Sequence, residues 1–280
     1  MILKSGLYIV STPIGNFEDI TLRAISTLKN SDIILCEDTR ISQKLLVKHD
    51  IITKLQIYND HSDYKDREYI ISLIKAGHVV SLISDAGTPL ISDPGYKLVR
   101  DLRNLNYYIE VVPGVSAPIT ALTLSSLPTD RFLFCGFLPK TIESKKKIFS
   151  ELVNLKATLI FFDTASRLIN TLSLAKEIFG KREICVAREL TKIYQEIKTG
   201  DIDAIIEFYK KNILKGEIVL LISGNVQEQY KHINLEKFIE FCLSKNLSSK
   251  TTIELAYDKF KDVYSKKEIY RVVVHKNLQL

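Results

Sequence analysis

Four stretches of this chain place small residues and carboxylates where an apolar run gives way to a helical pattern. One is Ser84-Asp85-Ala86-Gly87-Thr88-Pro89, with Pro94-Gly95 close behind. The second is Glu37-Asp38-Thr39-Arg40, the third Ser11-Thr12-Pro13-Ile14-Gly15-Asn16, and the fourth Val112-Pro113-Gly114-Val115-Ser116-Ala117-Pro118. A carboxylate there can accept a proton or meet a cation, and the small residues let a ligand approach the backbone. Each stretch alone is also an ordinary turn or a capped helix start, with Ser116 available as a cap. Asp38 beside Arg40 should ionise readily and make a weak base. The first turn has one glycine, so neither the dinucleotide fingerprint nor the P-loop pattern is present. Together the turns point to a small-molecule cleft at one edge of a sheet.

The elements that must hold these turns alternate. Strands are predicted at 7–10, 32–36, 55–58, 79–83 and 108–112, and helices at 20–28, 41–48, 64–76 and 96–105. That order implies βαβ units and a largely parallel sheet. Helices follow at 116–127, 142–155, 165–179 and 201–214, with strands at 132–135, 157–162, 184–187, 193–199 and 217–222. These strands are less uniformly apolar, which suggests some antiparallel pairing. Two helices, 235–243 and 249–260, precede a basic segment with an apolar run at 266–274. Ser249 or Thr251 could cap the second, with Glu254 completing a capping box. The tail is either a helix-turn-helix-like appendage or a packing extension. The expected domains are 1–115, 116–230 and 231–280.

Composition narrows the function classes. The chain has 280 residues, 46% hydrophobic and 26% charged, as in a globular protein. No run is long enough for a membrane span, and the start lacks a signal peptide's apolar region, so a cytoplasmic protein is expected. Four cysteines and five histidines are dispersed without metal-ligand spacing, so no metal is expected. The net charge of +6 gathers at Lys140 with Lys145-Lys146-Lys147, at Lys210-Lys211 with Lys215, and around Lys259 to Arg271. Such clusters suit a polyanion, and solvated helix faces equally.

The motifs also resemble one family, in order, over roughly the first 225 residues. Pro13-Ile14-Gly15-Asn16 with Glu18-Asp19-Ile20-Thr21, Glu37-Asp38-Thr39-Arg40, the 84–89 and 113–117 turns, and Gly136-Phe137-Leu138-Pro139 are similar to the bacterial ribosomal RNA small-subunit methyltransferase I family, within the tetrapyrrole methylase superfamily. The resemblance implies a two-domain α/β fold with a mainly parallel first sheet, a mixed second sheet and a small helical C-terminal appendage. It also implies S-adenosylmethionine as cofactor and 2′-O-methylation of a cytidine ribose in 16S rRNA. Thr12, Pro13, Gly15, Ser84, Asp85, Ala86, Gly87, Thr88, Pro89, Ser116, Ala117, Phe137, Leu138 and Gly224 would line the cofactor site. Asp38 and Asp85 are the candidate catalytic carboxylates, with Glu37 nearby. Arg40, Lys140, Lys145, Lys146, Lys147, Arg167 and Lys192 would face RNA phosphates. The partner would be 16S rRNA or the small ribosomal subunit, and the chain a homodimer. At Phe162 to Arg167 the relatives more often carry a glutamate, a proline and a histidine before the arginine, and only Arg167 is kept here. A methylase acting on a small tetrapyrrole and a non-catalytic RNA-binding assembly factor are the alternatives.

Overall fold

The computed structural model describes residues 2–212, 215–225, 235–245, 247–261 and 264–277. The chain divides into two compact units, Met1–Asn225 and Val226–Leu280.

The first unit begins as predicted, strand by helix: β1 (Gly6–Val10), α1 (Leu22–Lys29), β2 (Ile33–Cys36), α2 (Thr39–Lys48), β3 (Lys54–Ile57), α3 (Tyr64–Lys75), β4 (Val79–Leu82), α4 (Tyr96–Asn104) and β5 (Ile109–Val112). These five strands form a parallel sheet in the order β3-β2-β4-β1-β5. Side chains alternate across it. Leu7 and Ile9 join Leu35, Leu98 and Leu102 on one face, while Tyr8 and Val10 join Leu28, Ile34 and Leu46 on the other. With both faces buried, the strands read as continuous apolar runs. Because β1 lies between β4 and β5, the turns that follow all three strands meet at one edge. Helix α1 starts later than its apolar spacing suggested. Phe17–Asp19 form a 3₁₀ turn, and Thr21 caps α1 by accepting the Ala24 N–H at 3.0 Å.

The same unit continues with α5 (Ala117–Leu124), β6 (Phe132–Phe137), α6 (Ile142–Leu152), β7 (Thr158–Thr164), α7 (Leu168–Phe179), β8 (Glu183–Arg188), β9 (Glu196–Asp201), α8 (Ile202–Lys211) and β10 (Glu217–Ile222). The second sheet runs β6-β7-β10-β8-β9; β6 and β7 are parallel and every other pair is antiparallel. One face packs on α6, α7 and α8 through Phe149, Leu172, Phe179 and Tyr209. The other packs on α5, and Ile14 from the turn after β1 joins that core. Strand β9 begins at Glu196 rather than 193, after a loop in which Glu189 (φ 49°) and Thr191 (φ 62°) are left-handed. Residues 213–214 of the predicted helix 201–214, and the boundary expected at 230, lie outside the described residues.

In the second unit the described residues form and pack the helices α9 (Leu235–Ser244), α10 (Ser249–Phe260) and α11 (Lys266–Asn277). Its core gathers Ile239, Ala256, Phe260, Ile269 and Val273. Two expectations are corrected. Ser248, not Ser249 or Thr251, caps α10, accepting the Thr251 N–H at 3.1 Å. The closing basic segment is a full helix, started by a capping box in which Ser265 and Glu268 exchange bonds. No helix among the described residues is long and apolar enough to cross a membrane.

Candidate functional site

A cavity of about 490 Å³ opens where the carboxyl edge of the first sheet meets the second sheet. Its first wall is three turns tied together. Thr12 and Gly87 exchange backbone hydrogen bonds at 2.8 and 3.0 Å, and the Thr12 hydroxyl donates to the Ser84 carbonyl at 3.1 Å. Thr88 Oγ1 lies 3.1 Å from Ser11 Oγ and donates to the Val115 carbonyl at 3.0 Å. Gly87, at φ 84°, supplies a left-handed corner that other residues adopt only with strain. Two residues accept such strain just beyond it: Leu90 (φ 73°) and Ser92 (φ 69°). That path brings Ser92 and Asp93 onto the cavity wall.

Three carboxylates gather at this side: Glu37, Asp85 and Asp93. Burial raises each of the three above its ordinary value. Asp93 is pushed up to about 6, first by burial and then by Glu37, Asp85 and Asp60, against a hydrogen bond with Ser84. For Asp85, burial outweighs the Asp38 N–H that donates to its Oδ1 at 3.1 Å. For Glu37, burial leads and Asp85 adds. Asp38 is the opposite case. It caps α2 and grips the Arg40 guanidinium at 2.5 Å, which lowers its carboxyl to about 2. It lines neither this cavity nor its neighbour, so as a proton acceptor the structure disfavours it.

The facing wall holds a carboxylate of another kind. Asp163 is the last residue but one of β7, and its side chain is fully buried. Arg167 Nη2 lies 2.7 Å from one oxygen and Thr171 Oγ1 donates to the other at 2.6 Å. Lys145 Nζ donates to Thr171 at 2.5 Å and stands 3.8 Å from Asp163. Lys145 is only 4% exposed, and burial lowers its pKa. The expectation that Lys145 meets a phosphate is therefore corrected: helix periodicity turns it inward, to a buried carboxylate. Arg167 is 23% exposed and also donates to the Thr164 hydroxyl and the Leu138 carbonyl. Lys192 bridges Glu217 at 2.8 Å and Glu189 at 3.1 Å, so two carboxylates already hold it. Arg40, Lys140, Lys146 and Lys147 are exposed, Lys146 pairing with Glu177.

Of the residues expected around a cofactor, Asp85, Ala86, Gly87, Thr88, Ser116, Ala117 and Phe137 line the main cavity. Ser116 makes no side-chain cap bond, a correction to its expected capping role. Thr12, Pro13, Gly15 and Ser84 line a smaller adjoining cavity. Gly15 meets the loop after β8 so closely that an added Cβ would sit 2.6 Å from Lys192 Cγ. Three residues lie off both cavities. Pro89 leads into the strained segment, Leu138 is buried in the core, and Gly224 packs against Ala157. Sequence reading missed Ser92 and Asp93, although the Ser-Asp-Pro-Gly run was a visible turn signal. It also missed Ala187 and Val219, which enter through strand pairing, and Leu190 from the loop after β8; none leaves a local mark. Among the described residues no cluster of side chains suits a metal ion.

Comparison with known proteins agrees with this architecture. Residues 6–206 match the family described as Tetrapyrrole (Corrin/Porphyrin) Methylases. The chain is 94% identical over 273 residues to a ribosomal RNA small subunit methyltransferase I of Rickettsia prowazekii (strain Madrid E), covering 98% of both chains. It is 39% identical over 257 residues to the protein of that name from Bacillus subtilis (strain 168), covering 89% of this chain and 88% of the other. Among solved structures, a cobalt precorrin-4 methyltransferase superposes with a TM-score of 0.58 at 16% identity, covering 78% of this chain and 94% of that one. A diphthine synthase superposes at 0.59 and 12% identity, covering 78% and 89%. Those likenesses show the fold. The match across the α/β unit and the near-complete identity to a curated relative place the chain in the tetrapyrrole methylase family, among the ribosomal RNA small subunit methyltransferases I.

Proposed function

We propose that this methyltransferase uses S-adenosylmethionine to methylate the ribose 2′-oxygen of a cytidine in the 16S RNA of the small ribosomal subunit. The observation that carries the reading is the polarised cavity: three raised carboxylates at one side, and elsewhere small residues, apolar strand surface and the carboxylates Asp163, Glu189 and Glu217, each already held by a cation. The residues present fit that cofactor. A volume of about 490 Å³ suits a ligand of its size. Ala86, Gly87, Ser116, Ala117 and Ala187 leave the backbone approachable, and Phe137, Phe162, Leu190 and Val219 offer an apolar surface for an adenine. Glu37, Asp85 and Asp93 give a sulfonium and an amino group their counter-charges. Bound there, the cofactor supplies an electrophilic methyl group on a positively charged sulfur.

What the chain itself contributes is alignment and a place for a proton. The cross-linked turns hold one wall rigid, so two reactants can be kept in line, the largest part of what a bimolecular methyl transfer needs. A ribose hydroxyl must also lose its proton. The raised carboxylates, Asp85, Asp93 and Glu37, are better acceptors than Asp38, which stays ionised. A cation in the cavity would favour their ionised forms and ready them at neutral pH. Exposed Arg40, Lys140, Lys146 and Lys147 are the cations left to meet phosphates, and affinity for RNA should then fall steeply with salt. A homodimer belongs to the same reading, and light scattering in solution tests it.

The deciding experiment is transfer of labelled methyl from S-adenosylmethionine to small subunits of a strain lacking this protein, with the modified nucleotide mapped. One ribose-methylated cytidine supports the reading. Cofactor binding without transfer to subunits or their RNA would favour a small-molecule methylase. Failure to bind the cofactor would favour an assembly factor.

A further inference from the structure

The main cavity has a neighbour of about 240 Å³, and Ile14, Asp85, Ala86 and Glu217 line both. The rest of its wall comes from the turn after β1, the first turns of α2, Ile83 and Ser84 just after β4, and Lys192; Phe17, Ile41, Ser42 and Leu45 belong to it. We propose that this second cavity receives the acceptor nucleoside, turned out of the RNA, with its 2′-oxygen against the shared Asp85–Ala86 edge. The inference rests on the reaction proposed above and adds where the acceptor sits and which residues recognise it.

Four observations carry it. Transfer needs both reactants within bonding distance, so their sites must share a wall, and these two cavities do. The shared wall contains Asp85, a carboxylate whose burial makes it a better proton acceptor than an exposed one. The lining also matches a nucleobase, which has apolar faces and a polar rim. Phe17, Ile41 and Leu45 are apolar. The Thr12 hydroxyl is committed to the Ser84 carbonyl, and the Ser84 hydroxyl is shared among the carbonyls of Ala86 and Gly87 and the Asp93 carboxylate. Ser42 is different: it is 3% exposed, and its hydroxyl has no nitrogen or oxygen partner among the described residues. The Cys36 thiol, a weak acceptor, is what interacts with it. A buried hydroxyl so poorly satisfied is costly, and the edge of a base would relieve it. Finally, the mouth is equipped for RNA. Phe17, on the 3₁₀ turn, is 41% exposed and offers a ring for stacking. Arg40, next to Ile41, is 87% exposed and offers a cation for the adjoining phosphate. A ribose within folded RNA becomes reachable when its nucleotide leaves the stack.

The step balances. An electron pair on the 2′-oxygen forms the new O–C bond, and the pair of the breaking S–C bond returns to sulfur, leaving a neutral thioether. The hydroxyl proton passes to the Asp85 carboxylate and then to solvent.

The test uses Ile41→Trp, which adds bulk at a position 43% exposed, and Phe17→Ala, which removes the ring. Neither empties a core. For each, S-adenosylmethionine binding is measured by calorimetry, and methyl transfer to small subunits lacking the modification by steady-state kinetics. Expected are unchanged cofactor affinity, a drop in kcat/KM of about tenfold or more in both, and in Phe17→Ala a rise in KM rather than a fall in kcat. Wild-type transfer in both variants would overturn the assignment. So would cofactor affinity lost in step with transfer, because the cofactor would then occupy the second cavity. Wild-type protein that binds cofactor yet methylates no subunit would instead fail the reaction itself, and the acceptor site with it.

Discussion

Asp93 and Asp163 line the same cavity, and the protein treats them in opposite ways. Asp163 is fully enclosed and answered by Arg167, Thr171 and Lys145. Asp93 is half-buried beside two further carboxylates, and its pKa climbs to about 6. Both clusters bring charge out of water, which costs free energy unless something compensates. At Asp163 the fold provides the compensation, so the cluster acts as scaffold, tying the ends of β6 and β7 to α6 and α7. At Asp93, Asp85 and Glu37 it does not, and the energy stays available to whatever cation binds. Raised carboxylates in a cleft mark chemistry more often than architecture.

The sharpest way to break this comparison is to remove one carboxylate on each side. Asp85→Asn should lower the single-turnover methyl-transfer rate by roughly 10²- to 10⁴-fold, the range for losing a proton acceptor, with the fold intact by circular dichroism. A smaller effect than in Asp163→Asn would reverse the roles assigned here. Lys145→Met should instead cost stability, about 1–3 kcal/mol in urea unfolding, because it removes one of the three groups that answer Asp163 and leaves Arg167 and Thr171. Combining it with Asp163→Asn should recover part of that loss.

The pH dependence sharpens the contrast. Unfolded, Asp93 titrates near its ordinary value; folded, near about 6. Between those values the folded state binds more protons than the unfolded one, so the contribution of Asp93 to stability falls as pH rises through the window. Asp93→Asn should therefore raise the melting temperature at neutral pH and change it little well below the ordinary carboxylate pKa. Scanning calorimetry at both ends checks this, and an equal shift at both would refute it. Cofactor affinity in the wild type should weaken as pH drops through that same range, because protonation removes counter-charge. The smallest effect is expected next to the largest structural one. Lys146→Ala, one residue from Lys145, loses an exposed pair with Glu177 and should move stability by about 0.5 kcal/mol or less.

That adjacent pair shows where sequence reading stops. Lys145, Lys146 and Lys147 are one basic run in the chain, and nothing local says that one of them is buried. Helix periodicity makes one face of α6 point inward, but the carboxylate that receives Lys145 comes from β7, and the hydroxyl between them from α7. Asp93 is the converse. Its Ser-Asp-Pro-Gly context is readable as a turn, yet its raised pKa comes first from burial in the assembled fold and then from the distant Glu37, Asp85 and Asp60. The helix α11 is hard to read for a different reason: Ser265 and Glu268 have the spacing of a capping box, but the basic residues that follow fit solvated surface equally well.

The order of residues along the chain is enough to set the alternation of apolar strands and amphipathic helices, the parallel character of the first sheet, and the small-residue turns that follow its strands. These are local properties, set by side-chain period, by glycine and proline, and by caps. The tertiary structure decided which turns meet, because β1 lies between β4 and β5 only once the sheet is assembled. It also decided which charges find partners. Pairing and desolvation depend on distances between elements far apart in the chain. So Asp163 became structural, Asp93 stayed uncompensated, and Gly15 came to rest against Lys192.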